Sequence, residues 1–343
     1  MDIFAYAMAK KMLGDSGGGS TVISLTAGRP TKDDPISSIG SDAVINCVNA
    51  YAIGEHAFKN FVNLVSATLP KATIIDSYAF SECHKLEVVH APNVTTVYDG
   101  AFNNNDKLKT INTAKLRRVG EYCFYNCLSL ESVTLENDDL AFVIMGTSAF
   151  HGCTALKNVG ILDRIMEVPD GAFRYCKELE YDECSLNVTR IGDSAFEGCS
   201  KLKRINVYGV IPHDNGEETV VSDVVLGDSA FADCTSLERI IIGDGYNNNH
   251  LTINIGARAF ARTPQLRHIV LKRNTVAIID LTAFEDSYFI YHPEYGTNYG
   301  WIYVPSVMYE YYRAGYEETI NSLMPGLFDT LFRKIEDYPE ICG

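Results

Sequence analysis

The chain has 343 residues, of which 46% are hydrophobic, and its formal net charge at pH 7 is −15. This acidic balance argues against a nucleic-acid partner, because phosphate backbones are bound by clustered Lys and Arg. The sequence contains no run of about 18 to 20 apolar residues, so we also expect no membrane insertion.

Residues 1–20 form a segment distinct from the rest of the chain. Residues 2–13 suit a short amphipathic helix, which is a candidate for oligomerisation, and residues 14–20 suit a Gly/Ser-rich linker. Basic residues follow the apolar stretch rather than precede it, so no signal peptide is predicted here. Residues 21–52 are predicted to form an atypical N-terminal cap, which a solenoid needs over its first rung.

From residue 53 onward, a pattern of about a dozen residues occurs ten times. Each copy is centred on a phenylalanine, and successive copies lie 22 to 35 residues apart. The repeat phenylalanines are Phe58, Phe80, Phe102, Phe124, Phe150, Phe173, Phe196, Phe231, Phe260 and Phe284. A self-similar period of this length is typical of a solenoid.

The residues around each repeat phenylalanine indicate how one rung packs. Five positions earlier the residue is always apolar, and in six repeats a glycine follows it, where we expect a tight turn or a positive φ. The residue before the phenylalanine is Ala in nine repeats and Cys123 in the other, so only small side chains fit there. Six positions after the phenylalanine, a Leu or Ile begins the pattern Leu-x-x-Val-x-Leu, which predicts a parallel strand with one face inward.

Six of the ten cysteines lie three residues after a repeat phenylalanine, which argues against a disulfide framework. The four other repeats carry Phe61, Asn105, Thr263 and Ser287 at that position. A position of such variety is predicted to serve packing, with the cysteines as free buried thiols.

The combined motif I-G-x-x-A-F-x-x-C-x-x-L-x-x-V-x-L resembles the BspA-like leucine-rich repeats of bacterial surface proteins. The resemblance covers residues 53–290 and implies an α/β repeat solenoid. We expect a leucine-rich-repeat arc of about ten rungs with a parallel β-sheet face. Proteins of this family resemble adhesins that bind host extracellular proteins, other bacteria or polysaccharides.

Residues 291–343 are predicted to form a C-terminal cap. The segment from Ile302 to Pro305 is similar to the Ile-Tyr-Val-Pro segment that often closes BspA-like arrays. A helix is predicted over residues 306–315 and a final strand over residues 332–338.

The sequence contains no catalytic or cofactor motif that we consider meaningful. Residues 14–18, Gly-Asp-Ser-Gly-Gly, resemble the loop around a serine-protease nucleophile, but no His and Asp are matched to them. Cys123 and Cys127 lie four residues apart, whereas zinc takes four ligands. We therefore predict no enzyme, no cofactor and no metal site.

The solvent side of the predicted strands provides a candidate binding surface, which consists of two outward columns, two and four positions after each rung leucine. Two positions after the rung leucine, small polar residues in the first half of the chain give way to Tyr181, Arg204, Arg239 and His268. This column leads to a Tyr-rich end that includes Trp301, Tyr295 and Tyr299. Arg and aromatic side chains dominate binding hot spots. In the alternative interpretation, the arginines pair with Glu183 or Glu238 and the tyrosines cover the last rung.

Two functions follow as hypotheses. The first is a non-catalytic, protein- or glycan-binding scaffold, an adhesin-like protein that mediates host or cell–cell interaction. The resemblance implies a ligand on a host or neighbouring cell and a location at the cell surface or outside the cell. The alternative is a virion-associated structural or receptor-binding protein of a phage or prophage, because residues 1–20 resemble N-terminal segments of such proteins.

Overall fold

The computed structural model describes residues 21–24, 42–134, 142–160, 162–211, 220–243, 252–272, 277–280, 282–287, 300–323 and 332–339. The predicted N-terminal helix at residues 2–13 and the linker at residues 14–20 lie outside these ranges. The chain divides into two compact units: unit 1 comprises residues 1–164 and 172–178, and unit 2 comprises residues 165–171 and 179–343.

Unit 1 is built from short parallel strands and one 3₁₀ turn at Leu162–Arg164. Its described strands are β1 (Thr21–Ser24), β2 (Ala43–Asn46), β3 (Ala52–Ile53), β4 (Leu64–Thr68), β5 (Ile74–Ile75), β6 (Val88–His90), β7 (Thr96–Val97), β8 (Thr110–Asn112), β9 (Arg118–Val119), β10 (Ser132–Thr134), β11 (Ile144–Met145) and β12 (Asn158–Val159). The strands that follow the rung leucines form a front sheet in the order β1-β2-β4-β6-β8-β10-β12. The two-residue strands that precede the phenylalanines form a back sheet in the order β3-β5-β7-β9-β11.

Unit 2 repeats this plan. Its described strands are β13 (Glu167–Val168), β14 (Cys184–Leu186), β15 (Arg190–Ile191), β16 (Arg204–Val207), β17 (Val210–Ile211), β18 (Val220–Val221), β19 (Val224–Leu226), β20 (Arg239–Ile242), β21 (Ile253–Ile255), β22 (His268–Leu271), β23 (Ala277–Ile279), β24 (Trp301–Val304) and β25 (Phe332–Lys334). The front sheet has the order β14-β16-β20-β22-β24-β25 and the back sheet the order β13-β15-β19-β21-β23, while β17 and β18 pair antiparallel. The predicted parallel-sheet repeat solenoid is therefore confirmed.

The front strands alternate between core and solvent in unit 1, as their sequence pattern predicts. In β6, Val88 and His90 are exposed and Val89 between them is buried. The same alternation places Ile111 of β8 inside and Thr110 outside. Because each strand contributes one inward residue per rung, the core is a thin layer that continues from rung to rung.

The repeat phenylalanines form a stack of rings inside each unit. In unit 1, neighbouring ring centroids from Phe58 to Phe173 lie 5.0 to 5.4 Å apart. In unit 2, those from Phe196 to Phe284 lie 5.4 to 5.7 Å apart. All ten side chains are at most 5% exposed. Each ring therefore gains burial and a stacking partner, which together contribute about 2 to 4 kcal/mol per rung.

In six repeats a glycine lies four residues before the phenylalanine, and its role differs from the one we expected. Among the described glycines, those with positive φ lie elsewhere, for example Gly100 and Gly198. A Cβ at Gly227 would instead lie 2.4 Å from Oδ1 and 2.6 Å from the backbone nitrogen of Asp193 on the preceding rung. The same Oδ1 accepts a hydrogen bond from the Asp228 backbone at 2.9 Å. At Gly227 glycine is thus required for close approach of neighbouring rungs. Of the two expectations for this position, a tight turn or a positive φ, the positive φ is wrong.

The cysteine position is also more than a packing position. The nine described cysteines are free and buried. The thiol of Cys127 donates to the carbonyl oxygen of Phe102 on the preceding rung at 3.1 Å, and Cys83, Cys153, Cys176 and Cys234 make equivalent bonds. Asn105, Thr263 and Ser287 also donate to a phenylalanine carbonyl from this position. Cys, Asn, Thr and Ser share a hydrogen-bond donor, which explains why these residues alternate there.

Charges alternate in sign at the position after the rung leucine. This charge ladder reads Glu87, Lys109, Glu131 and Lys157 in unit 1 and Lys203, Glu238 and Arg267 in unit 2. Before Lys203 its acidic member is Asp182, which is level with Lys203 and lies 2.9 Å from it, rather than Glu180 at 3.7 Å. Lys109 Nζ lies 2.8 Å from Glu87, and Lys157 Nζ lies 2.9 Å from Glu131. Because like charges on adjacent strands repel, the alternation favours the observed register.

The C-terminal helix, α1 (Ser306–Leu323), is longer than the predicted 306–315. The prediction ends the helix at Gly315. Glycine is, however, tolerated inside a helix at a modest cost, and no atom lies within 4 Å of a Cβ built at this position. The backbone and hydroxyl of Ser306 donate to the Glu336 carboxylate, which caps the helix. Although burial alone would raise the pKa of Glu336, these hydrogen bonds lower it overall.

The helix is fixed to the last described back strand by one buried tyrosine. The Tyr312 hydroxyl accepts a hydrogen bond from the Ala277 backbone at 2.8 Å, and its ring stacks on Phe332 at 5.6 Å. The predicted final strand at 332–338 is shorter than expected, because β25 ends at Lys334 and a 3₁₀ turn follows at Ile335–Asp337.

Candidate functional site

Four of the predicted surface residues lie in one line across the front sheet of unit 2. Arg204 on β16 is in register with Arg239 on β20, Arg239 with His268 on β22, and His268 with Trp301 on β24. We call this line the Arg–Trp column. Since neighbouring strands lie about 4.8 Å apart, the column spans roughly 14 Å.

The remaining predicted residues do not belong to this column. β14 begins at Cys184, which is in register with Ile205, so the residue level with Arg204 is Glu183 rather than Tyr181. In the other front strands the first buried residue follows the rung leucine by three positions, whereas Cys184 follows Leu179 by five. Two extra residues therefore shift the register, and the placement of Tyr181 in the column is wrong. Tyr295 and Tyr299 lie outside the described residues.

The cationic end of the Arg–Trp column is paired with carboxylates at long distances. Arg204 Nη2 lies 3.7 Å from Glu238 Oε2, and both side chains are about half exposed. Arg239 Nη2 lies 3.4 Å from Glu183 Oε1, and Arg239 is 19% exposed. The same Glu183 oxygen accepts a shorter bond, 2.8 Å, from Asn206. The interpretation in which the arginines pair with Glu183 and Glu238 therefore holds, although these two contacts are loose.

The aromatic end of the column is built around His268. Its ring stacks on Trp301 with centroids 5.7 Å apart and planes 20° apart. Its Nδ1 lies 3.2 Å from the hydroxyl oxygen of Tyr303. Burial, followed by the positive charges of Arg239 and Arg267, lowers the pKa of His268 below its ordinary value. The imidazole is therefore neutral at pH 7 and forms, with Trp301, an uncharged aromatic surface beside the guanidinium groups.

The column four positions after the rung leucine differs from our expectation of a surface. In unit 2 four of its members are buried: Asn206 and Ile241 are 4% exposed, Val270 is 0% and Tyr303 is 1%, whereas Ser185 on β14, which is in register with Asn206, is exposed. Trp301 and Tyr338 pack against this cluster, and the Tyr338 ring meets Tyr303 edge-on at 5.4 Å. The sequence indicates this burial, because the apolar residues Ile241 and Val270 at a predicted solvent position need to be covered by other side chains.

The equivalent face of unit 1 is polar. Ser66, Val88, Thr110, Ser132 and Asn158 are in register along one line, and Thr68, His90, Asn112 and Thr134 along the next. Both lines match the predicted columns. They contain no arginine and no aromatic residue other than His90, so the chemistry typical of a binding hot spot is confined to unit 2 among these columns.

The described parts of the chain offer little for metal or redox chemistry. Within them, no three His, Cys, Asp or Glu side chains lie close enough together to hold a metal ion. Cys127 donates its thiol to a carbonyl, and burial raises the pKa of Cys83 to about 12 and that of Cys123 well above its usual range. Such thiols stay protonated and unreactive at neutral pH. Among the described helices, none has both the length and the apolar character needed to cross a bilayer.

Comparison with solved structures gives several similar leucine-rich repeat proteins at low identity. A leucine-rich repeat protein from Bacteroides ovatus is 19% identical, with 85% of this chain and 92% of that chain covered and a TM-score of 0.33. A leucine-rich cell surface protein from Faecalibacterium prausnitzii is 20% identical, with 72% and 91% covered and a TM-score of 0.31. The pneumococcal vaccine antigen PcpA is 14% identical, with 87% and 92% covered and a TM-score of 0.39. No curated protein matches the chain.

The family assignment comes from the repeats themselves. The model of the BspA type leucine rich repeat region, in six copies, matches residues 51–141, 117–212 and 219–291. These ranges cover more than half of the chain and contain all ten repeat phenylalanines. The chain therefore belongs to the BspA-type leucine-rich repeat family.

Proposed function

We propose that this protein is a non-catalytic binding scaffold that engages a protein or glycan ligand through the Arg–Trp column of unit 2. The observation that carries the proposal is the register of Arg204, Arg239, His268 and Trp301 on four adjacent strands. Side chains held on paired strands keep their spacing, so the loss of conformational entropy on binding is small.

The family supports an adhesin-like role at the surface of a bacterial cell, with the ligand on a host or neighbouring cell. In such a protein the buried phenylalanine and cysteine ladders maintain the scaffold, and the outward columns are free to vary. The Arg–Trp column has the composition of a hot spot, because Arg and Trp are enriched where binding energy concentrates.

Reversing both charges tests the proposal. We expect Arg204→Glu combined with Arg239→Glu to abolish capture of matrix proteins, mucin glycans and bacterial cells by the immobilised protein. Arg204 is about half exposed, but Arg239 is 19% exposed and the two new glutamates would face Glu238 and Glu183, so we expect a lower urea midpoint. Capture is therefore compared under conditions in which circular dichroism shows both proteins folded. Equal capture by the folded wild type and the folded double variant would overturn the proposal.

The control variant is Arg117→Glu combined with Arg118→Glu, at the start of the back strand β9 in unit 1. Both side chains are exposed, and the Arg118 guanidinium lies 5.8 Å from the centre of the Tyr98 ring, so the control changes the net charge by the same amount next to an aromatic residue. Capture that falls equally in this control would indicate a general effect of net charge rather than a site.

A further inference from the structure

The Arg–Trp column joins two kinds of chemistry within a short distance. Arg204 and Arg239 form a cationic half, and His268 and Trp301 form a neutral aromatic half. A ligand that fits both halves must carry a negative charge next to a flat, partly apolar face.

The carboxylates that pair with the two arginines are poor competitors for such a ligand. Their distances are 3.4 and 3.7 Å, compared with 2.8 and 2.9 Å for the charge-ladder pairs Lys109–Glu87 and Lys157–Glu131. The Arg204–Glu238 pair is both long and about half exposed, so it contributes little, whereas the Arg239–Glu183 pair is long but its arginine is only 19% exposed. A ligand carboxylate could bind a guanidinium with two parallel hydrogen bonds, which are shorter and stronger.

The backbone around the column offers nothing to a peptide strand. β16, β20, β22 and β24 each have a hydrogen-bonded strand on both sides. An extended peptide gains most of its affinity by adding to a free sheet edge, and no free edge exists at these four strands. The next column is already filled by Ile241, Val270 and Tyr303, so no apolar groove is open there for a helix.

Recognition at this column must therefore come from side chains that point away from the sheet. The carboxylate of an acidic sugar suits a guanidinium, and the C–H face of a pyranose ring suits the face of an indole, whose N–H adds a donor. The length of the column, roughly 14 Å, allows several sugar units to make contact at once.

We propose that the Arg–Trp column recognises a carboxylate-bearing oligosaccharide, with the carboxylate on Arg204 and Arg239 and a sugar ring on Trp301. This inference rests on the proposed function and specifies its ligand class. It excludes neutral saccharides and acidic peptides as the preferred ligands of this surface.

Calorimetry with the full chain tests the inference with matched probes. The probes are trigalacturonate and its methyl ester, 3′-sialyllactose and lactose, and a hexaglutamate peptide. We expect at least one acidic saccharide to bind and its uncharged counterpart to bind about tenfold or more weakly, because one charge-assisted hydrogen bond contributes that much. The peptide should bind no better than the uncharged sugars.

The variants test the cationic half and the aromatic half of the column separately. Arg239→Gln and Trp301→Ala should each weaken binding of the acidic saccharide by about tenfold or more. The matched controls in unit 1, Arg118→Gln and Tyr122→Ala, remove an exposed arginine and an exposed aromatic residue and should leave binding unchanged. If Arg239→Gln lowers the urea midpoint, Arg204→Gln, whose side chain is about half exposed, tests the cationic half on a folded protein. If Trp301→Ala does so, Trp301→Phe, which keeps an aromatic ring but removes the indole N–H, tests the aromatic half.

The outcomes separate this inference from the function on which it rests. Equal binding of charged and uncharged saccharides overturns the requirement for a carboxylate. Binding of hexaglutamate alone overturns the saccharide class, and so does the absence of binding to every saccharide probe. In each of these cases, capture that still depends on Arg204 and Arg239 leaves the proposed function intact, whereas capture unaffected by them overturns both.

Discussion

The thiol of Cys234 donates a hydrogen bond to the carbonyl oxygen of Phe196 at 3.1 Å, and this bond links one rung to the rung before it. The equivalent hydroxyl of Thr263 donates to Phe260 within its own rung at 2.6 Å. The thiol reaches farther than the hydroxyl, so it bonds to the preceding rung, whereas the hydroxyl bonds within its own rung.

We predict that Cys234→Ala and Cys234→Ser will differ in stability. Alanine removes one of the two donors to the Phe196 carbonyl, which keeps its bond from the Cys199 backbone at 3.0 Å, so the free energy of unfolding should fall by about 0.5 to 1.5 kcal/mol. Serine keeps a donor that can bond within its own rung, so its cost should be smaller. Urea denaturation of the two variants checks this, and equal losses would show that the thiol contributes only volume.

The buried thiols predict a loss of stability in alkali. Burial raises the pKa of Cys47 and of Cys184 from 9.0 to about 12. A raised pKa in the folded state means that the stabilising contribution is complete below pH 9.0 and decreases as the pH rises towards 12. The expected slope is about 1.4 kcal/mol per pH unit for each such thiol.

The measurement is the free energy of unfolding as a function of pH in urea. The control is the double variant Cys47→Ala, Cys184→Ala, which lacks two of the titrating groups. Above about pH 9, the free energy of unfolding of this variant should fall less steeply with pH than that of the wild type, because two titrating thiols are missing. Parallel curves for the two proteins would mean that these thiols are ionised at their ordinary pKa in the folded state.

The phenylalanine stack predicts a large effect at its centre. Phe102 is fully buried, with Phe80 at 5.3 Å on one side and Phe124 at 5.4 Å on the other. Phe102→Ala should lower the free energy of unfolding by about 3 to 5 kcal/mol, as for buried aromatic residues in general. Phe102→Leu, which keeps most of the apolar volume, should cost clearly less. An unchanged urea midpoint for the alanine variant would contradict the rung structure.

Two glycines should respond in opposite ways to substitution by alanine. At Gly227 a Cβ would lie 2.4 Å from Oδ1 and 2.6 Å from the backbone nitrogen of Asp193, so Gly227→Ala should cost about 2 kcal/mol or more. Gly315 lies within a helix, and no atom lies within 4 Å of a Cβ built there. Gly315→Ala should therefore stabilise the folded protein by about 0.5 to 1 kcal/mol. Thermal unfolding of the two variants checks both signs, and a neutral Gly227→Ala would refute the close approach of the rungs.

The sequence predicts the repeat, the inward positions and the outward columns well, because these depend on periodicity. The register of Arg204, Arg239 and His268 follows directly from counting residues after each rung leucine. Counting fails at Tyr181, where two extra residues precede β14. The charged Asp182 at the expected inward position, with the apolar Cys184 two residues later, was the signal of this insertion.

Roles that depend on neighbouring rungs could be predicted only in part. Glycine at position 227 is compatible both with a turn and with close packing, and only the position of Asp193 distinguishes the two. The donor role of the cysteine position was visible in the residues that replace cysteine, since Asn105, Thr263 and Ser287 all carry donors. The cluster of Ile241, Val270 and Tyr303 is covered by Trp301 and Tyr338, so the local pattern indicates that Ile241 needs a cover but not which distant residues provide it.

The charge ladder limits how such a chain can grow by duplication. With Glu87, Lys109, Glu131 and Lys157 in strict alternation, copying one rung would place two like charges on adjacent strands. Copying two rungs at once keeps every acid next to a base. A pair of rungs is therefore the smallest unit whose duplication preserves the alternation of charges.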